Sequence, residues 1–511
     1  MSSKELFTQK MQEGYTFKGD SILLGGAMYG AETITGTHVR MPLSTVNRHG
    51  LIAGATGTGK TKTVQLLAEN WSEKGISVLL MDIKGDLSGI AAPANPHPKI
   101  DERQTAIGSA WAPVKFPVEL MTISDEKGIR LRATISEFGP VLLSKILDLN
   151  ENQQGVVSIA FKYADDNGLL LLDIKDFREV LLHISGDGKD EVKQYGQVSS
   201  TSVGVIMRKL LELEQQGGDK FFGEKSFEVE DLMRKDEKGY GYINVIRLAD
   251  MQDKPKLFST FMLCLLSEVY AQFPELGDKA EPKLVIVIDE AHLIFRDAGK
   301  ALMAQLEMVI KLIRSKGVGI YFCTQVPGDV PEIILSQLGL KVQHAMRAFT
   351  ANDRKDIKLV AQNYPMTEFY KTETLLTELG IGEAVITGLN EKGSPTPLVR
   401  TMLCAPRSRM DVLTSSEQDE LVKNSKIADE YNEEIDRESA YEKLQKKVKS
   451  VEPASEREVK KKETVKEEAG GGIGDTISQV TKNPLFKTVA REITRGLLGS
   501  IFGIKTRSRR R

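Results

Sequence analysis

The stretch Gly54-Ala-Thr-Gly-Thr-Gly-Lys60-Thr61 fits the pattern G-x-x-x-x-G-K-[ST]. An apolar run over residues 50–54 precedes it, and a helical pattern from Lys60 to about Lys74 follows it. Glycines let the backbone wrap a polyphosphate so that N–H groups point at its oxygens, and the helix N-terminus adds its dipole. The pattern therefore predicts a phosphate-binding loop between a buried strand and a helix. The alternative is a glycine turn that happens to precede Lys-Thr.

Two residues of this loop have individual predicted roles. Lys60 is expected to reach the β- and γ-phosphates of ATP, and the Thr61 hydroxyl is expected to bind Mg²⁺. The residues predicted to surround the nucleotide are Gly54, Ala55, Thr56, Gly57, Thr58, Gly59, Lys60, Thr61 and Lys62.

A second, independent signal is the apolar run Leu284-Val-Ile-Val-Ile288, which is followed by Asp289 and Glu290. A phosphate loop requires an acidic partner at the tip of a neighbouring buried strand to hold Mg²⁺ through water. Asp289 is predicted for that role, and Glu290 is placed to polarise the attacking water as a general base. The alternative is that these acids only begin a helix at the exit of a core strand.

Three further residues carry weaker signals. Gln325 closes the run Gly319–Thr324, and its amide is a candidate for sensing the γ-phosphate. Asp82 ends the run 76–82 and is expected on the ligand side of the sheet. An ordinary loop position is an equal alternative for both. His292 completes the letters Asp-Glu-Ala-His, but the other helicase motifs of that class are not evident, so we interpret it as a structural helix residue.

Arginines that could stabilise γ-phosphate charge from a neighbouring subunit are Arg48, Arg314 and Arg347. Arg48 lies just before the phosphate-loop strand, Arg314 ends the helix before the Gln325 strand, and Arg347 lies inside a strand candidate over 342–348. Such an arginine can raise a hydrolysis rate by ~10³-fold or more. A surface ion pair is the alternative for each of them.

The order of elements predicts an α/β fold with a mostly parallel central sheet flanked by helices. Strand, helix and strand follow one another over residues 50–82 as a βαβ unit. Apolar residues at helical spacing predict a mostly helical insertion later in the chain. The predicted divisions are 1–100 and 236–405 for the two parts of the core, 101–235 for the insertion, 406–448 for a charged helix begun by Ser416-Glu-Gln-Asp419, 449–482 for a charged and glycine-rich linker, and 483–511 for an amphipathic helix with a basic end. Further strands are expected at 242–246, 342–348 and 383–388.

Composition excludes several classes of protein. The 511 residues include 69 Lys+Arg and 71 Asp+Glu, a net charge of −2, which excludes a polycation that coats nucleic acid but not a local basic channel. Three distant cysteines cannot form a disulfide framework or a zinc cluster, so we expect a reducing compartment. No run approaches the ~18 apolar residues of a membrane span, and we expect a cytoplasmic protein.

Residues 54–61, 82–87, 284–290 and 317–325 together resemble the HerA-type ATPases of the HerA/FtsK superfamily, and more narrowly the bacterial HerA-like proteins. The resemblance covers about residues 20–405. It implies a RecA-like ATPase core that works as a homo-hexamer and translocates DNA through a central pore. It also implies that the roles of Lys60, Thr61, Asp289, Glu290 and Gln325 are those given above, that the strand ending at Gln325 lies between the other two, and that arginine fingers act between subunits.

Archaeal members carry an N-terminal β-barrel and work with a nuclease, whereas 53 residues precede the loop here. A nuclease or another protein partner is therefore an open expectation. Two other functions stay open beside DNA translocation. One is a motor for protein or conjugative substrates at a membrane, anchored by the C-terminal helix; the other is a nucleotide-dependent assembly protein. The C-terminal helix itself is expected to pack on its own core or on a partner subunit, with a membrane surface or nucleic acid as alternatives.

Overall fold

The computed structural model describes residues 2–275, 282–296 and 300–451. The described residues divide into two compact units, of which the first contains those within 2–131 and 227–433 and the second contains 132–226 and 434–451. The helical insertion predicted over 101–235 is therefore too long at both ends. Residues 101–131 and 227–235 belong to the first unit.

The first unit is built on a twelve-stranded sheet in the order β2-β1-β12-β11-β10-β3-β9-β8-β4-β7-β5-β6. The strands are β1 (Ser21–Tyr29), β2 (Glu32–Pro42), β3 (Gly50–Ala53), β4 (Ser77–Asp82), β5 (Val118–Thr122), β6 (Ile129–Arg130), β7 (Ile243–Arg247), β8 (Leu284–Ile288), β9 (Val318–Thr324), β10 (Leu340–Gln343), β11 (Glu383–Thr387) and β12 (Val399–Leu403).

The eight strands from β10 to β6 run parallel, and the four at the other edge run antiparallel. Strands β3, β8 and β9 are buried along their whole length, as expected for parallel strands covered by helices on both faces. Helix packing is tight on this sheet, with the rings of Trp71 and Tyr321 4.7 Å apart between their centroids. The predicted mostly parallel α/β fold is confirmed.

The helices, in chain order, are α1 (Ser3–Tyr15), α2 (Lys60–Glu73), α3 (Pro98–Ile107), α4 (Ile135–Ile146), α5 (Glu151–Asp166), α6 (Ile174–Ser185), α7 (Ser200–Gln215), α8 (Gly218–Phe221), α9 (Pro255–Gln272), α10 (His292–Arg296), α11 (Lys300–Ile313), α12 (Glu332–Leu335), α13 (Ala351–Gln362), α14 (Thr372–Glu378), α15 (Ser415–Lys423), α16 (Ala428–Asn432) and α17 (Ala440–Val451). The second unit contains α4 to α8 and α17. No described helix is both long and apolar enough to span a bilayer.

The second unit is a helical cluster with its own apolar core. Thr134, Asn150 and Asp173 begin α4, α5 and α6 through capping boxes, in which a side chain accepts a helix N–H and the helix returns one. Phe161 and Phe177 pack with their ring centroids 5.4 Å apart and join α5 to α6. The helical character predicted for the insertion thus describes residues 132–226.

The order of the central strands bears on two predictions. Strand β9 lies between β3 and β8, as the resemblance implied. Strands β3 and β4 flank α2 in the chain and run parallel in one sheet, but β9 and β8 separate them. The strand candidate over 342–348 is shorter than predicted, since β10 ends at Gln343.

Strand β5 was not predicted, because its residues fall within the range assigned to the helical insertion. Its sequence, Val-Glu-Leu-Met-Thr, carries a charge at its second position, which disguises a buried strand. In the fold Glu119 is buried and pairs with Arg234 at 2.8 Å. The charge is thus neutralised by a residue far away in sequence.

The charged helix predicted over 406–448 is wrong as one element. Residues in that range form α15, α16 and α17, and the capping box that begins α15 uses Thr414 and Glu417. A solvated charged helix does not describe this range, since Tyr431 of α16 is buried and its hydroxyl donates to Asp231 at 2.6 Å. Most of the predicted linker over 449–482 and the whole helix predicted over 483–511 lie outside the described residues.

Candidate nucleotide-binding site

The predicted phosphate loop connects the carboxyl end of β3 to the first residue of α2. Gly54 has a φ of 151°, and an added Cβ would lie 2.5 Å from Cβ of His344. Gly59 caps α2 with a φ of 114°. Only glycine fits both positions well, because one leaves no room for a side chain and both have a positive φ.

Lys60 is buried and folded onto its own loop. Its Nζ donates to the carbonyl oxygens of Gly54 at 2.6 Å and Ala55 at 3.1 Å. Burial lowers the pKa of Lys60, and the nearby charge of Lys84 adds to this. An anion at the loop would restore favourable surroundings for the ammonium.

The rest of the loop divides into exposed and buried positions. Thr56 and Gly57 are exposed, whereas the Thr58 hydroxyl donates inward to Ala55 O at 2.7 Å. The Lys62 ammonium donates to the carbonyl of Met410. Thus Lys62 is directed away from the predicted phosphate position.

Asp289 and Glu290 follow β8 directly and are both buried. Burial raises the pKa of Asp289, and the Cys323 thiol of the adjacent β9 donates a hydrogen bond to it. Glu290 has a φ of 45°, in the left-handed region that non-glycine residues seldom occupy. Backbone strain of this kind concentrates at functional sites.

Asp82 holds together the turn that follows β4. Its carboxylate accepts N–H bonds from Gly85 at 2.8 Å, Asp86 at 3.1 Å and Leu87 at 3.1 Å. Burial raises the pKa of Asp82 to about 7, despite the N–H donor from Leu87. The residue shapes this loop, and Lys84 and Asp86 project from it.

Lys84 forms an ion pair with Glu290, and His292 Nδ1 lies 3.1 Å from the other oxygen of the same carboxylate. Sequence reasoning missed Lys84 and Asp86, although both stand in the quoted stretch 82–87. The available signal was their place just after the carboxyl end of a parallel strand. His292 is the first residue of α10, which agrees with its predicted place in a helix. It also contacts Glu290, the predicted base.

The residues present fit a bound Mg²⁺. Thr61 Oγ1 donates to Asp86 Oδ2 at 3.1 Å, while the buried Asp86 Oδ1 has no hydrogen-bond partner among the described residues. No group of three metal-binding side chains is assembled within the described part of the chain. Mg²⁺ is typically held by one or two carboxylates together with waters and substrate phosphates, so this limited set is suitable.

Gln325 is exposed immediately after β9, at the carboxyl edge of the sheet between the phosphate loop and Asp289. Arg347 is exposed beyond the end of β10, on the same edge, and not inside a strand as predicted. Arg48 and Arg314 precede β3 and β9 and therefore lie at the opposite edge. Within one chain, only Arg347 among the three arginines lies on the edge that bears the loop.

A cavity of about 190 Å³ opens beside the first turn of α2. Its lining is largely apolar, and it includes Gly59, Thr63, Ile100, Ile381, Pro406 and Met410. Arg103 closes one side, where its guanidinium donates to the carbonyl oxygens of Gly382 and Leu403 at 3.1 Å each. A flat apolar group attached to a phosphate in the loop would enter here.

Fold and site together define a RecA-like phosphate-loop protein. The sequence model of the family "Helicase HerA-like C-terminal" matches residues 29–509, and the chain belongs to that family.

Curated relatives include two proteins named DNA double-strand break repair helicase HerA. The chain is 22% identical to the one from Sulfolobus acidocaldarius over 359 residues and 24% identical to the one from Sulfurisphaera tokodaii over 358 residues. Each match covers 68% of this chain and 64% of the relative. The chain thus spans somewhat less than two thirds of the length of these relatives.

A solved structure with a similar fold is that of the bacterial conjugative coupling protein TrwBdeltaN70 in its unbound form. The TM-score is 0.50 at 14% identity, and the match covers 80% of this chain and 94% of that one. This likeness supports the fold described above.

Proposed function

We propose that the chain binds ATP with Mg²⁺ and hydrolyses the bond between the β- and γ-phosphates. The observation that supports this is the meeting of Lys60, Thr61, Asp289 and Glu290 at one sheet edge. The loop N–H groups and Lys60 would hold the phosphates. Thr61 and Asp289 would hold Mg²⁺, which supplies charge stabilisation of the phosphoryl group when bound.

Glu290 is the proposed general base. It would accept a proton from a water whose oxygen attacks the γ-phosphorus, while the bond to the β–γ bridging oxygen breaks and leaves ADP and phosphate. Gln325 is proposed to orient that water or the γ-phosphate. Arg347 or Arg314 of a neighbouring subunit is proposed to stabilise the charge of the transition state.

The apolar cavity beside α2 is the proposed site of the adenine base. Gly59 lines it and also belongs to the loop that would hold the phosphates, so base and phosphates would bind to one continuous surface. Ile100 and Ile381 would cover the faces of the ring. This cavity lies wholly within the first unit.

We infer further that hydrolysis drives movement along DNA by a cytoplasmic homo-hexamer. The family membership supports this, as do the relatives named as DNA double-strand break repair helicases. The net charge of −2 requires that DNA contacts be confined to a local surface rather than spread over the molecule. A nuclease or other protein partner is an extension of the same proposal.

The test is the rate of ATP hydrolysis with no DNA, with double-stranded DNA and with single-stranded DNA, each at two salt concentrations. Lys60→Ala is the blank, because it removes the phosphate-binding ammonium. Strong stimulation that fades at high salt is expected, since phosphate contacts release counterions. Light scattering of the ATP-bound protein measures the proposed hexamer.

Each outcome separates the proposed functions. A rate that no DNA changes would reject DNA translocation and direct the search to a protein or conjugative substrate. ATP-driven assembly without appreciable hydrolysis would instead support an assembly protein. Absence of ATP binding by the unaltered chain would reject the whole proposal.

A further inference from the structure

The Glu290 carboxylate is held at one oxygen by Lys84, and its other oxygen is buried and has no hydrogen-bond partner among the described residues. Lys84 Nζ contacts Oε1, and His292 Nδ1 lies 3.1 Å from Oε2. The Glu290 side chain is only 8% exposed. Oε1 is paired with an ammonium and Oε2 is shielded from solvent, so neither oxygen can readily accept a proton from water in this arrangement.

Lys84 is arranged so that it can leave this contact. Its side chain is 33% exposed and projects from the turn that Asp82 organises by three backbone hydrogen bonds. The turn is anchored, whereas the four-carbon stem of a lysine is flexible. The ammonium can thus move without unfolding its loop.

The position of Lys84 follows from the strand order. Strand β4 lies next to β8, so the turn after β4 meets the residues that follow β8. Two strands further along, β3 carries the phosphate loop. The charges of Lys84, Asp289 and Glu290 all influence the pKa of Lys60, so these side chains are close enough to Lys60 to interact electrostatically.

We propose that Lys84 is a positioning residue that couples the presence of the γ-phosphate to the release of Glu290. Without nucleotide, or with ADP, the ammonium holds and neutralises the carboxylate. When ATP occupies the loop, the γ-phosphate oxygens draw the ammonium away, and Oε1 becomes free to accept the proton of the attacking water. The inference rests on the proposed ATP hydrolysis and adds a control on it.

The exchange is energetically feasible. The pair has one partly exposed partner, Lys84, and one buried partner, Glu290, so giving it up costs at least about a fivefold step in affinity. A phosphate group carries more charge than a carboxylate and offers more acceptor oxygens, so it competes well for the ammonium. ADP places no phosphate near Lys84 and leaves the pair intact.

The test is equilibrium binding of ADP and of the non-hydrolysable imido analogue of ATP to four forms of the full chain. These are the unaltered protein, Lys84→Met, Glu290→Gln and the double variant. Lys84→Met should weaken binding of the analogue about tenfold and leave ADP within about twofold. Glu290→Gln frees Lys84 and should tighten the analogue about fivefold without changing ADP. The double variant should bind the analogue like Lys84→Met, because the gain depends on Lys84.

Turnover gives a second measurement. Lys84→Met frees Glu290 but removes the cation beside the γ-phosphate, so kcat should fall about 100-fold. Lys84→Arg should recover part of the loss because the charge is kept. Lys4→Met is the matched control, since Lys4 pairs with Glu32 at 2.7 Å on an exposed surface of the same unit. Thermal melting of every variant checks that the fold is intact.

Equal weakening of ADP and the analogue by Lys84→Met would overturn the inference, as would additive effects in the double variant. Either result would leave Lys84 as a fixed structural partner of Glu290. Neither result would reject the proposed ATP hydrolysis, provided that Lys60→Ala abolished nucleotide binding. Failure of the unaltered protein to bind either nucleotide would instead reject the proposed function.

Discussion

His49 offers a quantitative test of the fold that supports the site. It is buried, and it lies immediately before β3, the strand that leads to the phosphate loop. The backbone N–H of Ile320 donates to its Nδ1 at 2.9 Å, so Nε2 must carry the proton that is donated to Ile310 O, also at 2.9 Å. The neutral ring satisfies both partners. A protonated ring would set an N–H against the Ile320 N–H.

Burial lowers the pKa of His49 from 6.5 to about 4. Because the folded state binds this proton less tightly than the unfolded chain, the stability that depends on it is complete above pH 6.5 and is lost as pH falls toward 4. The difference of about 2.5 units corresponds to about 3 kcal/mol in total. About 2 kcal/mol of this should already be gone at pH 5.

The assay is urea unfolding followed by tryptophan fluorescence at pH 7.5 and pH 5. Both tryptophans, Trp71 and Trp111, belong to the first unit, so the signal reports the unit that contains His49. His49→Asn is the comparison, since asparagine tolerates the φ of 59° found at this position and does not titrate. The loss of stability between the two pH values should be about 2 kcal/mol smaller in the variant. An equal loss in both proteins would refute the reasoning.

Three other predictions concern the nucleotide site. Gly54→Ala should destabilise the first unit by at least about 1 kcal/mol in the same urea assay, because the new Cβ would meet His344, whereas Gly328→Ala, with open space around the added atom, should not. Ile381→Asp changes a residue that is 75% exposed and places a negative charge in the proposed base cavity. Equilibrium binding of ATP and of ADP should both weaken about fivefold. Loss of ATP binding alone would contradict the placement of the base in this cavity. Glu290→Gln should bind ATP but hydrolyse it at least about 100-fold more slowly, and near-normal turnover would reject Glu290 as the base.

The parts of the fold that sequence predicted are those fixed by local pattern. The runs ending at Gly54, Asp289 and Gln325 are continuous apolar stretches, and parallel strands buried on both faces require such stretches. Strand β5 escaped prediction because Glu119 interrupts the pattern, and its partner Arg234 is 115 residues away. No local rule shows that a charge will be neutralised at that distance.

The same limit explains the prediction of the site. Lys60 and Thr61 stand in one short motif whose spacing is itself the signal. Lys84 stands in the stretch 82–87, but that stretch did not show its role, and His344 stands in none of the quoted motifs. Each contacts the site because its strand lies beside another in the sheet. The sequence predicted that Asp82 lies on the ligand side of the sheet. It could not show that the Asp82 carboxylate accepts hydrogen bonds from the backbone of the turn that follows it.

Strand order, more than any motif, decides which groups meet at this site. The neighbours β10, β3, β9, β8 and β4 are consecutive in the sheet, yet their chain positions range from 50 to 343. Their carboxyl ends lead to His344, Lys60, Gln325, Glu290 and Lys84, in that order across the edge. Lys84 is thus separated from the phosphate loop by the Glu290 and Gln325 positions, and it meets Glu290 because β4 is the direct neighbour of β8 in the sheet.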